Sequence, residues 1–163
     1  MSSFSNKSSF ETSQGSKYII DFSIFESNPI NDKIEVFDLV LLQKSNQGDE
    51  NHEVLNFIVS EVMKFLNSRK CIVYFYCDNT PIKKSKRHTN YSNQAYRNRL
   101  FLSMFERLKI KSKLENESFD FLLRSIEIED KQNGDHFISL ITTKENYIQL
   151  ENLSKEILSL NEK

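Results

Sequence analysis

The chain has 163 residues and a net charge of −1, with 38% apolar, 12% aromatic and 28% charged residues. That balance fits one soluble globular domain able to bury a real core. No stretch approaches the roughly 18 apolar residues of a membrane-spanning helix. Only three glycines occur, so phosphate-cradling glycine loops are absent, which argues against P-loop and Rossmann enzymes.

The first sixteen residues, MSSFSNKSSFETSQGS, hold seven serines. They have neither the basic nor the apolar region of a secretory signal. Their composition predicts a disordered tail over residues 1–16, with a single domain over 17–163. KYIIDFSIFE then reads as a strand, with Tyr18, Ile20, Phe22 and Ile24 on one face. The turn-forming SNPINDK leads to a second strand, KIEVFDLVLLQK, expected to pair with the first as a hairpin.

In NHEVLNFIVSEVMKFLNSR, Val54, Leu55, Ile58, Val62, Phe65 and Leu66 recur at helical spacing. CIVYFYC has no alternation, which predicts a strand buried on both faces near the sheet centre. A second helix is expected from about Ser92 to Ile110. Two more strands, FLLRSIEIED and HFISLITT, flank the turn-forming KQNGD. A last helix carries Tyr147, Leu150, Leu153, Ile157 and Leu160 as its apolar stripe, with Thr142 and Glu145 as a capping box. The predicted order is ββαβαββα: an α+β fold with a single mixed or mostly antiparallel sheet covered by helices.

Cys71 and Cys77 lie at the two ends of one predicted strand, about 20 Å apart, and cannot bridge each other. Free thiols and the absence of an export signal predict a cytoplasmic protein. His52, His88 and His136 lack zinc-ligand spacing. No metal or other cofactor is expected. The acidic EIED at a strand end reads as solvated rather than metal-binding. Cys77, with Asp78 and His88 near it in sequence, is a candidate nucleophile, but a cysteine closing an apolar strand reads first as packing.

Charge is segregated. Residues 79–114 contain ten bases and one acid, Glu106, for a local charge of +9, which leaves −10 on the remainder. Lys83, Lys84, Lys86 and Arg87 form a basic run that is either a solvated loop or an electrostatic footprint for phosphates. Tyr91, Tyr96 and the amides of NYSNQ add stacking and hydrogen-bonding groups suited to nucleic acid. On the second helix, Arg97 falls within the stripe of Leu100, Phe101, Met104, Phe105 and Leu108, whereas Arg99 falls on the solvent side. An inward guanidinium needs a counter-charge, and Asp78 is the expected partner in a structural ion pair.

The block VYFYCDNTP…YRNRLFLSMF resembles the core of an uncharacterised bacterial family, domain-of-unknown-function family 6169. In that pattern a buried strand ends in Cys-Asp and is followed by an Arg-x-Arg-x-Phe element. The matching positions here are Cys77, Asp78, Arg97, Arg99 and Phe101, within a resemblance spanning about Tyr18 to Thr143. The loop NTPIKKSKRHTNYSNQA is longer than the family's. The resemblance implies the fold and the Asp–Arg pairing, and no activity.

These readings converge on a non-enzymatic binding module for an anion or nucleic acid. Its expected contacts are Lys83, Lys84, Lys86, Arg87, Arg99, Arg107 and Lys111. Two alternatives stay open. One is a protein-interaction role as an accessory or inhibitory partner of another bacterial protein, since segregated charge also steers acidic protein surfaces. The other is a hydrolase or transferase around Cys77, Asp78 and Arg97.

Overall fold

The computed structural model describes residues 5–25, 34–45, 51–77, 90–114 and 120–160. They form one mixed sheet of six strands with three helices. The strands are β1 (Ser5–Glu11), β2 (Lys17–Ile24), β3 (Glu35–Ser45), β4 (Cys71–Cys77), β5 (Phe121–Ile128) and β6 (His136–Thr143). The helices are α1 (Asn51–Ser68), α2 (Asn93–Leu114) and α3 (Tyr147–Leu160), the last preceded by a single 3₁₀ turn, Lys144–Asn146.

Strand order in the sheet is β1-β2-β3-β4-β6-β5. Only β3 and β4 run parallel, joined through α1, and every other neighbouring pair is antiparallel. β4 is therefore central, as its unbroken apolar run implies. Cys71, Ile72, Val73, Phe75 and Cys77 are all buried.

The sheet separates two cores. On one face α1 and α2 bring Val54, Ile58, Val62, Phe65, Phe101 and Phe105 onto Ile20, Phe22, Phe37, Leu39, Val73 and Phe75. On the other face α3 brings Leu150, Leu153 and Ile157 onto Val36, Ile72, Ile126, Ile138 and Leu140. Aromatic rings carry much of the first core. Phe22 stacks on Phe65 at 4.2 Å between centroids, Phe75 stacks on Phe101 at 4.6 Å, and Phe105 meets Phe121 edge-on at 5.6 Å.

Three sequence expectations need correction. Residues 5–11 belong to the sheet as the edge strand β1, paired to β2 from Ser5↔Ser23 to Glu11↔Lys17. Serine-rich composition concealed an alternation in which Ser8 and Phe10 are half-buried while Lys7, Ser9 and Glu11 are exposed. Phe10 stacks on Phe57 of α1 at 4.7 Å. Gly15, at φ 95°, supplies the left-handed residue of the β1–β2 connection. A polar edge strand also resists pairing with other chains.

The expected capping box at α3 does not form. Thr142 is a buried residue of β6 whose hydroxyl donates to the Cys71 carbonyl at 2.7 Å. The turn is held instead by the Asn146 amide, which donates to Thr142 Oγ1 at 3.0 Å and Thr143 Oγ1 at 3.1 Å. Tyr147, expected in the apolar stripe, is 53% exposed, because the 3₁₀ turn delays the helix by three residues.

The inner face of α2 is also rotated from its expected position. Gln94, Asn98, Phe101 and Phe105 are buried, whereas Arg97 is only half-buried. Apolar periodicity pointed to a stripe of Leu100, Phe101, Met104, Phe105 and Leu108 with Arg97 near its middle, of which Phe101 and Phe105 are fully buried and Met104 and Leu108 pack against the core. The true row runs through two amides, which a search for apolar residues passes over.

Candidate functional site

One end of the sheet gathers the C-terminus of β4, the N-terminus of α2 and the turn between β5 and β6. The antiparallel register sets Cys77 opposite Phe137, so the β5–β6 turn stands beside the point where β4 ends. Ser92 caps α2 there, its hydroxyl accepting the Ala95 N–H at 3.2 Å.

The turn is built by Asp130. Its Oδ1 accepts the backbone N–H groups of Gln132 and Asn133, both at 3.0 Å, as short acidic side chains do in tight turns. Its own N–H donates to Asp135 Oδ1 at 3.1 Å. His136 donating to the carboxylate, followed by those two backbone donors, pulls the Asp130 carboxyl down to about 2. Gly134 closes the turn at φ 86°, and a Cβ there would lie 3.2 Å from Gln94 Nε2. Glycine therefore permits both the left-handed backbone and the close approach of α2.

Two buried amides dock α2 onto this region. Gln94 Nε2 donates to the Asp135 carbonyl at 3.2 Å. Asn98 Oδ1 accepts the hydroxyls of Ser139 at 3.2 Å and Ser125 at 3.3 Å. Buried polar groups must be satisfied this way, so these contacts set the azimuth of the helix as well as its distance.

Between α2 and the turn lies an open groove of about 820 Å³, with walls that include Tyr91, Asn98, Arg99, Glu106, Glu127 and Asp135. Arg99 lies over the Tyr91 ring, 5.5 Å from its centroid, and donates from its guanidinium to the Tyr91 hydroxyl at 3.0 Å. This pairing combines a cation–π contact with a hydrogen bond and presents a flat, preorganised wall.

Of the residues predicted from sequence, Arg99 lines this groove, and Arg107 is exposed farther along α2. Lys83, Lys84, Lys86, Arg87 and Asp78, and the side chain of Lys111, lie outside the described residues, so the expected Asp78–Arg97 pair does too. Cys77 is fully buried, which removes its thiol from any ligand entering from solvent. Burial likewise pushes the Cys71 thiol up to about 12. Among the described residues no group of three or more His, Cys, Asp or Glu is placed to hold a metal, EIED included. Nor is any described helix long and apolar enough to cross a membrane.

The acidic wall, Glu106, Glu127 and Asp135, escaped the sequence reading. These residues come from a helix, a strand and a turn, and no linear pattern connects them. Comparison with protein-family models, curated proteins and solved structures gave no match. The functional reading rests on the geometry of this site.

Proposed function

We propose that the chain is a binding module for single-stranded nucleic acid, with bases in the groove and phosphates on the basic run that precedes it. The Tyr91–Arg99 pair carries the reading. It forms an aromatic and guanidinium wall of an open groove that mixes polar and apolar lining, and Arg87 lies only four residues before Tyr91 in the chain. Unstacked bases pack against tyrosine faces and arginine planes without needing one particular sequence.

The carboxylates divide the labour. Glu106, Glu127 and Asp135 repel phosphate from the groove, but they accept hydrogen bonds from exocyclic amines of bases. The backbone phosphates are then left to Lys83, Lys84, Lys86 and Arg87 of the basic run. Duplex DNA does not fit this division, because its base faces are already stacked.

Anisotropy titrations with labelled single-stranded DNA and RNA test the proposal. Neutralising about four phosphates gives a log–log salt slope of about −3 for a single strand. Tyr91→Ala removes one stacking platform and weakens binding by about 5- to 100-fold, leaving the salt slope unchanged. Lys83→Ala and Lys84→Ala together flatten the slope. Salt-insensitive binding, or none at low salt, overturns the reading.

A second reading, contact with another protein, is favoured by a different surface. α3 rests mainly on β5 and β6. On the β2–β3 part of that same face Ile19 and Val40 are only half-buried, and Leu42 is 47% exposed. A partner held in fixed stoichiometry, released by Leu42→Lys with oligonucleotide binding intact, would establish this reading instead.

A further inference from the structure

We propose that Tyr76 is a nucleophilic tyrosine that accepts acyl groups, with His136 as its general base and Asp130 as the residue that positions the imidazole. The three come from β4, from the start of β6 and from the β5–β6 turn. Tyr76 pairs in register with Ile138, and Ile138 belongs to the core under α3. The phenol therefore lies on the α3 face of the sheet. Asp135 lines the groove, and its neighbour His136 serves this second location, so the inference goes beyond the nucleic-acid reading.

The hydrogen bonds are directional. Asp130 Oδ2 lies 2.8 Å from His136 Nε2, and the Tyr76 hydroxyl lies 2.6 Å from His136 Nδ1. A carboxylate only accepts, so in the neutral imidazole Nε2 carries the hydrogen. Nδ1 then presents its lone pair to the phenol, which donates. The carboxylate is itself immobilised by the Gln132 and Asn133 amides. A hydroxyl on a base whose second nitrogen is oriented by a fixed acid is the general arrangement of an activated nucleophile.

The phenol is also reachable, since Tyr76 is 41% exposed. Its neighbour Tyr74 contrasts with it. Tyr74 is half-buried, and that burial, with Asp38 and Tyr76 nearby, pushes its hydroxyl up to about 12. Carboxylates near the pair include Asp130, Asp135, which accepts the Asp130 N–H, and, beside Tyr74, Asp38. That local field disfavours a phosphate and favours an uncharged acyl donor such as an ester with a good leaving group.

In the reaction, Tyr76 Oη bonds to the acyl carbon as its proton passes to His136 Nδ1. The bond from that carbon to the leaving oxygen breaks, and the leaving group departs as its anion. The imidazolium gives that proton to bulk water, and neutral His136 then takes a proton from a water that attacks the tyrosyl ester. The carbon–Oη bond breaks, the carboxylic acid is released, and His136 returns the proton to Tyr76 Oη.

The experiment treats the full chain with p-nitrophenyl acetate and maps acetylation by peptide mass spectrometry. Tyr147, 53% exposed, serves as the internal reference. Tyr76 is expected to acetylate about 100-fold faster than Tyr147, within the range a positioned base provides. His136→Gln brings Tyr76 to the rate of Tyr147. Asp130→Asn still accepts the turn amides through its carbonyl, but its NH₂ faces Nε2 and forces the hydrogen onto Nδ1. In the folded chain it should slow Tyr76 acetylation by about tenfold or more while Tyr147 acetylation is unchanged, which a purely structural Asp130 would not do. Equal rates at Tyr76 and Tyr147 in the native chain overturn the proposal, as does an acetyl on His136 that persists in Tyr76→Phe.

Discussion

The two halves of α2 meet the same sheet by different physics. Toward the C-terminus, Phe101 and Phe105 are fully buried and join Phe75 and Phe121 in a continuous run of rings. Toward the N-terminus, Gln94 and Asn98 are buried through hydrogen bonds to Asp135, Ser125 and Ser139. The aromatic half contributes area, which is large and tolerant of direction. The amide half contributes little net energy but fixes orientation, because each hydrogen bond has one acceptable geometry. The groove lies along the amide half, where a polar wall can be exposed without loss of core.

The largest expected effect lies in the aromatic half. Phe101→Ala removes a ring in contact with two others and should cost about 3–5 kcal/mol in denaturant unfolding. A loss well under that range would mean the helix is held chiefly by its amides. Asn98→Leu leaves the Ser125 and Ser139 hydroxyls without their acceptor, so a cost of about 1–3 kcal/mol is expected. Adding Ser139→Ala should recover part of that cost, and strict additivity of the two changes would deny the contact.

Gly134→Ala probes the turn that meets the amide half. Its positive φ and the nearby Gln94 amide predict destabilisation by about 1 kcal/mol or somewhat more. An unchanged melting temperature would show that α2 and the turn are not tightly docked. The smallest effect concerns pH. The Asp130 carboxyl falls from its ordinary 3.8 to about 2 on folding. In that interval the unfolded chain binds the extra proton, so the contribution is present above pH 4 and is lost as pH falls through 2. The gap in melting temperature between the native chain and Asp130→Asn should narrow over that window. A gap independent of pH would assign Asp130 a role other than its ionised hydrogen bonds.

Elements whose side-chain pattern is local were legible in the chain. CIVYFYC announced a central strand because only a strand covered on both faces needs an unbroken apolar run. The α1 stripe was legible because period-3.6 burial leaves a one-dimensional trace. β1 was not, since an edge strand needs little apolar surface and its serines look like a tail. The register of α2 was misread for a related reason: Gln94 and Asn98 are buried by partners about 30 to 40 residues away, and polar residues carry no sign of burial in sequence. Arg99 was identified as outward-facing, but its pairing with Tyr91, two helical turns back, needed coordinates.

Strand and helix periodicity, the position of β4 and the segregation of charge are properties of neighbouring residues, and the sequence alone determined them. Tertiary structure alone decided which polar groups meet. Tyr76 and His136 are 60 residues apart, and Glu106, Glu127 and Asp135 share a groove only because β6 inserts between β4 and β5. Apolar burial acts through area and so leaves a pattern along the chain. A hydrogen bond depends on the exact placement of two groups, which only the completed fold provides.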